Sequence, residues 1–249
     1  MIPIKTEILY GIHPVAEALA AGRRKIYELY ISQGKETQRT GHIIEKSKTL
    51  DVPVNQIPQH QIQSLSGKEA HQGIAARVSP YPILALPELL AEVETRPKPP
   101  LFLLIDHVVD PHNLGALLRT ALCANVDGVI IPKDRSAWPS PVVSKTSAGA
   151  LEHIRLAQVA NMVYAISDLK KKGVWIIGLD KNGAHSLFES DLTGSIGIVI
   201  GGEESGIRPL VKKNCDFLTF IPQAGPVSSL NASVAGGVAM YEAYRQRNT

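Results

Sequence analysis

From residue 100 onward the chain repeats one pattern, a short unbroken apolar run followed by a helical stretch. The runs are Leu101–Ile105 (LFLLI), Gly128–Ile131 (GVII), Ile154–Ala157, Val174–Gly178 (VWIIG), Ile196–Ile200 (IGIVI) and Phe217–Ile221 (FLTFI). A strand with one wet face alternates apolar and polar residues, whereas a strand covered on both faces does not. These runs therefore predict an α/β architecture, a parallel sheet with helices on both faces. Helices are expected at Leu114–Ala124, Ser140–Ala150, Met162–Lys172 and Ile207–Lys213, with a long one closing the sequence. Ligands of such sheets bind beyond the C-terminal ends of the strands.

Earlier residues read as a smaller α/β unit. Gly11–Ala21 is amphipathic, Ile26–Ile31 strand-like, Gln38–Leu50 helical, 52–57 extended, Gln59–Leu65 a short helix and Gly73–Val78 a last strand. Proline fixes φ and discourages helix in the residue before it, so two proline clusters read as punctuation. They are Ser79-Pro80-Tyr81-Pro82 and Arg96-Pro97-Lys98-Pro99-Pro100, with a connecting helix at Leu84–Glu94 between them. The expected organisation is a domain over 1–80, a linker over 81–99 and a domain over 100–249. The first carries no phosphate loop, metal cluster or paired carboxylates, so a binding role suits it better than catalysis.

The 44% hydrophobic content supports a sizeable core. Residues 1–80 hold ten Lys and Arg against seven Asp and Glu, and that surplus of three equals the whole net charge of +3. This permits a polyanionic partner without demanding one. Aromatics at 5% argue against base stacking as the main activity. Cys123 and Cys215 lie far apart in apolar runs, which suits reduced, buried thiols in a cytoplasmic protein and not a disulfide or zinc framework. Met1-Ile2-Pro3-Ile4-Lys5 does not begin a signal peptide, and no apolar run approaches the ~18 residues of a membrane span.

Three of the strand ends are polar. The first run leads into Asp106-His107-Val108-Val109-Asp110-Pro111-His112-Asn113-Leu114-Gly115, with Asn113 a good N-cap and Arg119 six residues further on, within reach of the same crevice. The fifth leads into Gly201-Gly202-Glu203-Glu204-Ser205-Gly206, which is no P-loop because no Gly-Lys-Ser/Thr follows. The sixth leads through Ile221-Pro222-Gln223-Ala224-Gly225-Pro226 into Ser228, Ser229, Asn231 and Ser233 at a helix start. Capping explains one or two of those polar side chains, not four. The small residues Val234–Ala239 that follow allow close packing against a neighbour or a ligand.

Together these three turns resemble the signature motifs of the SpoU family within the SPOUT class of RNA methyltransferases. The matching stretches are Asp110–Gly115 with Arg119, Gly201–Gly206, and Ile221 through Ser229-Leu230-Asn231 to Ala235. Tyr10–Val15 and His71–Ala76 resemble the N-terminal RNA-binding domain, similar to ribosomal protein L30e, of the branch that methylates a guanosine ribose in 23S ribosomal RNA. The resemblance implies a deep trefoil knot, a homodimer, and S-adenosylmethionine as methyl donor without a metal. Carried over by position, the cofactor is held near Leu179, Gly201, Ile221 and Leu230, and the chemistry falls to Asn113, Arg119, Glu203, Ser229 and Asn231. Gln223 stands where the family often has methionine, Pro226 follows Gly225, and Ser228 stands where it often has glutamate.

Methyl transfer to a ribose hydroxyl requires alignment of oxygen, methyl and sulfur and removal of one proton. The resemblance points to Arg119 as activator of that hydroxyl. A guanidinium is effectively never deprotonated in proteins, so Arg119 reads better as a clamp on phosphate and hydroxyl, with a phosphate oxygen or water taking the proton. Asn113 would orient Arg119 or the ribose, Ser229 and Asn231 the nucleotide, and Glu203 a loop or the arginine. Transfer RNA as substrate, or a non-catalytic RNA-binding assembly factor with this fold, remain open alternatives. A nucleotide-dependent oxidoreductase does not fit, because no GxGxxG follows the first strand.

Overall fold

The computed structural model describes residues 5–34, 38–67, 70–203, 205–226 and 229–248. Elements in chain order are β1 (Glu7–Tyr10), α1 (Ile12–Ala21), β2 (Ile26–Ser32), α2 (Gln38–Thr49), β3 (Val54–Ile57), α3 (Gln59–Leu65) and β4 (Ile74–Val78). Then come α4 (Leu86–Glu94), β5 (Leu101–Asp106), α5 (Pro111–Cys123), β6 (Gly128–Pro132), α6 (Pro141–Thr146), β7 (Leu156–Val159) and α7 (Met162–Lys171). The chain ends with β8 (Trp175–Leu179), β9 (His185–Ser186), β10 (Ile196–Gly201), α8 (Pro209–Asn214), β11 (Phe217–Phe220) and α9 (Ala232–Arg247).

Two compact units result. One comprises residues up to Pro82 together with Trp138–His153, the other Ile83–Ala137 together with Ile154 to the C-terminus. The first has a mixed sheet in the order β1-β4-β2-β3, parallel only between β2 and β3. One face packs Leu9, Leu29, Ile31, Ile74 and Val78 against Val15, Ala18 and Leu19 of α1 and Ile43 of α2. On the other face, Tyr10 and Ala75 meet Ile62 of α3.

The second unit holds a seven-stranded sheet in the order β7-β6-β5-β10-β8-β11-β9, parallel throughout. Every residue of the interior strand β5 is buried, as a strand covered on both faces requires. Phe102, Leu104, Ile176 and Val199 point to one side, where they pack with α4, α7 and α8 through Leu89, Val93, Met162, Ile166, Leu169 and Val211. Each fully buried side chain of this size stabilises the fold by about 2 kcal/mol. Ile200 points the other way, toward Gly236 of α9, which lies against Leu117 of α5.

Several expectations shift. The connecting helix expected over Leu84–Glu94 forms as α4, but it belongs to the second unit, whose core takes in Leu86, Leu89, Leu90 and Val93. Conversely, Trp138–His153 groups with the first unit. The helix expected over Ser140–Ala150 stops at Thr146, because Ala148 and Gly149 both take positive φ, 52° and 85°, before a 3-10 turn over Ala150–His153. The third strand begins at Leu156, two residues later than read. β1 and the two-residue β9 carry no periodicity long enough to announce them. Cys123, expected buried, is exposed, since it ends α5 on its outer side; Cys215 is partly buried. Among the described residues, no helix is long and apolar enough to cross a membrane.

Candidate active site

The C-terminal ends of β8, β10 and β11 open on one cavity of about 400 Å³. Leu179, Gly201, Ile221 and Leu230, the four positions read as cofactor contacts, all line it, as do Glu203 and Ser229. Its floor is made by backbone that side chains could not share. A Cβ on Gly201 would lie 2.0 Å from the carbonyl carbon of Gly206, and one on Gly202 would lie 2.4 Å from the carbonyl oxygen of His107. Gly206, at φ +64°, donates its N–H back to the Gly202 carbonyl at 3.0 Å and closes the turn. Glu204 and Ser228, noted in the sequence, lie outside the described residues, as does Val227.

Beside this cavity three side chains form a line. Asn231 caps α9, its Oδ1 accepting from the Ser233 N–H (2.8 Å), the Ser233 hydroxyl (2.6 Å) and the Val234 N–H (3.4 Å). That capping fixes which way the amide points. Its Nδ2 consequently faces Asn113 and donates to the Asn113 Oδ1 at 3.0 Å. The Asn113 Nδ2 in turn donates to Glu203 Oε1 at 2.6 Å. Residues 90 and 118 positions apart are thus joined from three different strand-to-helix turns.

Two sequence readings change here. The N-cap of α5 is Asp110, whose side chain accepts from the His112 N–H, with Pro111 opening the helix. Asn113 therefore sits inside the first turn, free to point at Glu203. Arg119 does not join the group. Six residues on along a helix is roughly 240° of rotation, and Arg119 is exposed on α5, outside the cavity lining, with no hydrogen-bond or ion-pair partner among the described residues.

Sequence reasoning gave no role to the charged residue that anchors this region. Asp106, at the end of β5, is fully buried. It accepts from the Arg208 backbone N–H (3.0 Å), from Arg208 Nε (2.9 Å) and from His107 Nδ1 (2.9 Å), and pairs with the Arg208 guanidinium at 2.7 Å. Burial pushes its pKa up, but the bonds from Arg208 and His107 outweigh that and hold the carboxyl below the usual carboxylate range. His107 takes φ 66° to make its contact. The signal was present: a lone carboxylate ending an apolar run, LFLLID, had to find a cation. A second pair, Asp180 with Lys212, lies in the cavity wall and joins the loop after β8 to α8.

The wall suits a ligand of mixed character. Leu179, Ile200, Ile221, Leu230 and Ala235 are apolar; Asp180, Glu203, Lys181 and Lys212 offer both charges. Thr219, also in the lining, keeps a buried hydroxyl with no hydrogen-bond partner among the described residues. Among the described residues no cluster of three or more His, Cys, Asp or Glu is placed to hold a metal ion.

Residues 100–241 match the model of the SpoU rRNA methylase family, and residues 8–84 match that of the RNA 2′-O ribose methyltransferase substrate-binding domain. A 23S rRNA (guanosine-2′-O-)-methyltransferase of Coxiella burnetii is 43% identical over 98% of this chain and 97% of its own. The protein of the same name from Shewanella oneidensis is 41% identical over 98% and 99%. The fold is similar to that of the SpoU methyltransferase AviRb from Streptomyces viridochromogenes, crystallised with AdoMet, at a TM-score of 0.82 and 23% identity, covering 96% of this chain and 89% of that one. With both domain models matched in order and relatives of this identity spanning nearly its full length, the chain belongs to the SpoU family of RNA methyltransferases.

Proposed function

We propose that this protein transfers a methyl group from S-adenosylmethionine to the ribose 2′-hydroxyl of a guanosine in 23S ribosomal RNA, acting in the cytoplasm. The observation that carries the reading is the line Glu203–Asn113–Asn231, drawn from three turns and held beside a cavity walled by backbone. The names of the full-length relatives support the substrate, and the substrate-binding match over residues 8–84 supports RNA recognition by the first unit.

The cavity fits the methyl donor. A glycine floor admits close backbone contact, the orphaned Thr219 hydroxyl offers a polar partner, and both carboxylates and lysines face a ligand that is itself cationic at sulfur and zwitterionic at its amino acid. When bound, S-adenosylmethionine supplies an electrophilic methyl group on a sulfonium. Leu179, Gly201, Ile221 and Leu230 hold it through the loops that carry them. We also take these loops to form the trefoil knot implied by the family; their convergence on one cavity supports this.

Asn113 and Asn231 serve as rigid positioning groups for the nucleotide, because every amide atom engaged by a neighbour has only one orientation left. Glu203 fixes the far end of that line, and Ser229 contacts the ribose or its phosphate. Arg119 lies outside this cavity with no partner among the described residues, so its planar fork serves as the clamp on phosphate and hydroxyl at the cavity of a second copy in a homodimer. The hydroxyl proton passes to a phosphate oxygen or water, since the guanidinium holds its own.

The test is incubation with labelled S-adenosylmethionine and either deproteinised ribosomal RNA or bulk tRNA, followed by mapping of the label. Label on a guanosine ribose of 23S RNA is expected; label only in tRNA, or none, overturns the proposal. Arg119→Lys keeps the charge but loses the fork, and is expected to lower turnover about 100-fold. Near-wild-type turnover would remove the clamp role.

A further inference from the structure

Among the described residues, cation–aromatic contacts occur only in the first unit, and two of them share a ring. Lys25 Nζ stands 5.2 Å from the centroid of Tyr27, and the guanidinium carbon of Arg77 stands 5.5 Å from it. A β-bulge explains the arrangement. Pairing between β2 and β4 passes from Ile26 opposite Val78 to Glu28 opposite Arg77, so Tyr27 is the inserted residue. Such an insertion turns a side chain out of the strand's alternation, here onto Arg77.

The arginine is held in place from below. Its Nε donates to Glu28 Oε1 at 2.6 Å, and Asn55 Nδ2 donates to Glu28 Oε2 at 3.0 Å. The Arg77 side chain nevertheless remains 42% exposed, and Lys25 is exposed with no carboxylate partner among the described residues. This lies on the sheet face shared with Tyr30 and Ala75, which α3 covers around Ile62. Two cations against one carboxylate leave the patch positive.

We propose that Tyr27, flanked by Lys25 and Arg77, is a stacking platform for an unpaired base of the RNA substrate. An aromatic face accepts any base; exposed Lys25 moves off the ring to a neighbouring phosphate and opens that face, while Arg77, held by Glu28, stays against the ring. A pre-oriented guanidinium can itself stack, so Arg77 extends the platform. The inference rests on RNA being the substrate, and it assigns to the first unit a contact that the cavity of the second does not supply.

The experiment measures binding of the full chain to transcribed 23S RNA, and steady-state methylation of that RNA, for wild type, Tyr27→Ala, Tyr27→Phe and Lys25→Gln. Tyr27→Ala is expected to weaken RNA binding about ten-fold and to raise the KM for RNA likewise. Its kcat at saturating RNA and its KM for S-adenosylmethionine should not change. Tyr27→Phe keeps the ring and should bind as wild type. Lys25→Gln, at an exposed position that cannot unfold the domain, should reduce the slope of log affinity against log salt by about 0.7 to 0.9. If wild type methylates RNA while Tyr27→Ala and Lys25→Gln match it in affinity and salt slope, the platform is overturned and the function stands. If wild type methylates no RNA, both fall.

Discussion

At the scale of single residues, buried Asp106 is the group on which most depends. It bonds the backbone and guanidinium of Arg208 and the ring of His107, and so fixes the two segments that flank the glycine turn. Asp106→Asn removes the counter-charge of Arg208, whose side chain is 42% exposed, and leaves a buried amide among donors, which is expected to cost about 2 kcal/mol in urea unfolding. The pH dependence follows from the direction of its shift. Its folded pKa lies below the ordinary 3.8, so the stability it contributes is complete above that pH and lost as pH falls through the lowered value. The variant should therefore show a shallower acid limb than wild type in thermal melts between neutral pH and pH about 3; an unchanged limb would place the stabilisation elsewhere.

Among the elements, the interior strands could be read from the sequence because each is a short, unbroken apolar run. The runs around Leu103, Ile130, Ile177 and Val199 are buried on both faces, and their length of about five residues suits a strand where a buried helix would need ten or more. What could not be read are contacts across long separations. Arg24 and Glu152 are 128 residues apart, both side chains 1% exposed, and Ser144 Oγ donates to the same Glu152 oxygen at 2.8 Å. Arg24 also pairs with Glu7 and donates to the Ser79 carbonyl at 2.8 Å. Burial raises the Glu152 pKa against the pull of Arg24 and Ser144. This network ties Trp138–His153 into the first unit, although the residues after Trp138 follow strands of the second. Arg24→Met breaks it at its hub, with an expected loss of about 3 to 5 kcal/mol on denaturant titration. A loss below 1 kcal/mol would show that packing alone holds the segment. The candidate site was legible in the same uneven way: motif order singled out Asn113, Glu203 and Asn231, which hydrogen bonds join, and Ser229, which lines the cavity, whereas the outward aim of Arg119 depends on helical phase, and Asp110 outcompeted Asn113 for the cap.

At the scale of the whole molecule, the question is what covers the outer side of α5 and α9. Leu122, Val234, Tyr241 and Tyr244 there are 40 to 51% exposed, and the two tyrosine rings lie 6.0 Å apart. Exposed apolar and aromatic side chains on two packed helices suit an association face, and the commonest closed assembly is a two-fold dimer. We propose a homodimer through this face, which would also bring a second copy near Arg119, a residue with no partner among the described residues. Light scattering is expected to give twice the 26.9 kDa chain mass, and Tyr241→Glu to shift it toward the single-chain value. A wild-type monomer at micromolar concentration would exclude the arrangement.

The two cysteines differ in a way that has practical use. Cys123 is exposed at the end of α5, next to Leu122, whereas burial pushes the Cys215 thiol up to about 12. The thiolate is the reactive form, so a maleimide dye at neutral pH should attach to Cys123 alone. The chain thus carries a native, single-site spectroscopic handle at the margin of its α5–α9 face, and assembly can be followed by fluorescence without engineering a cysteine.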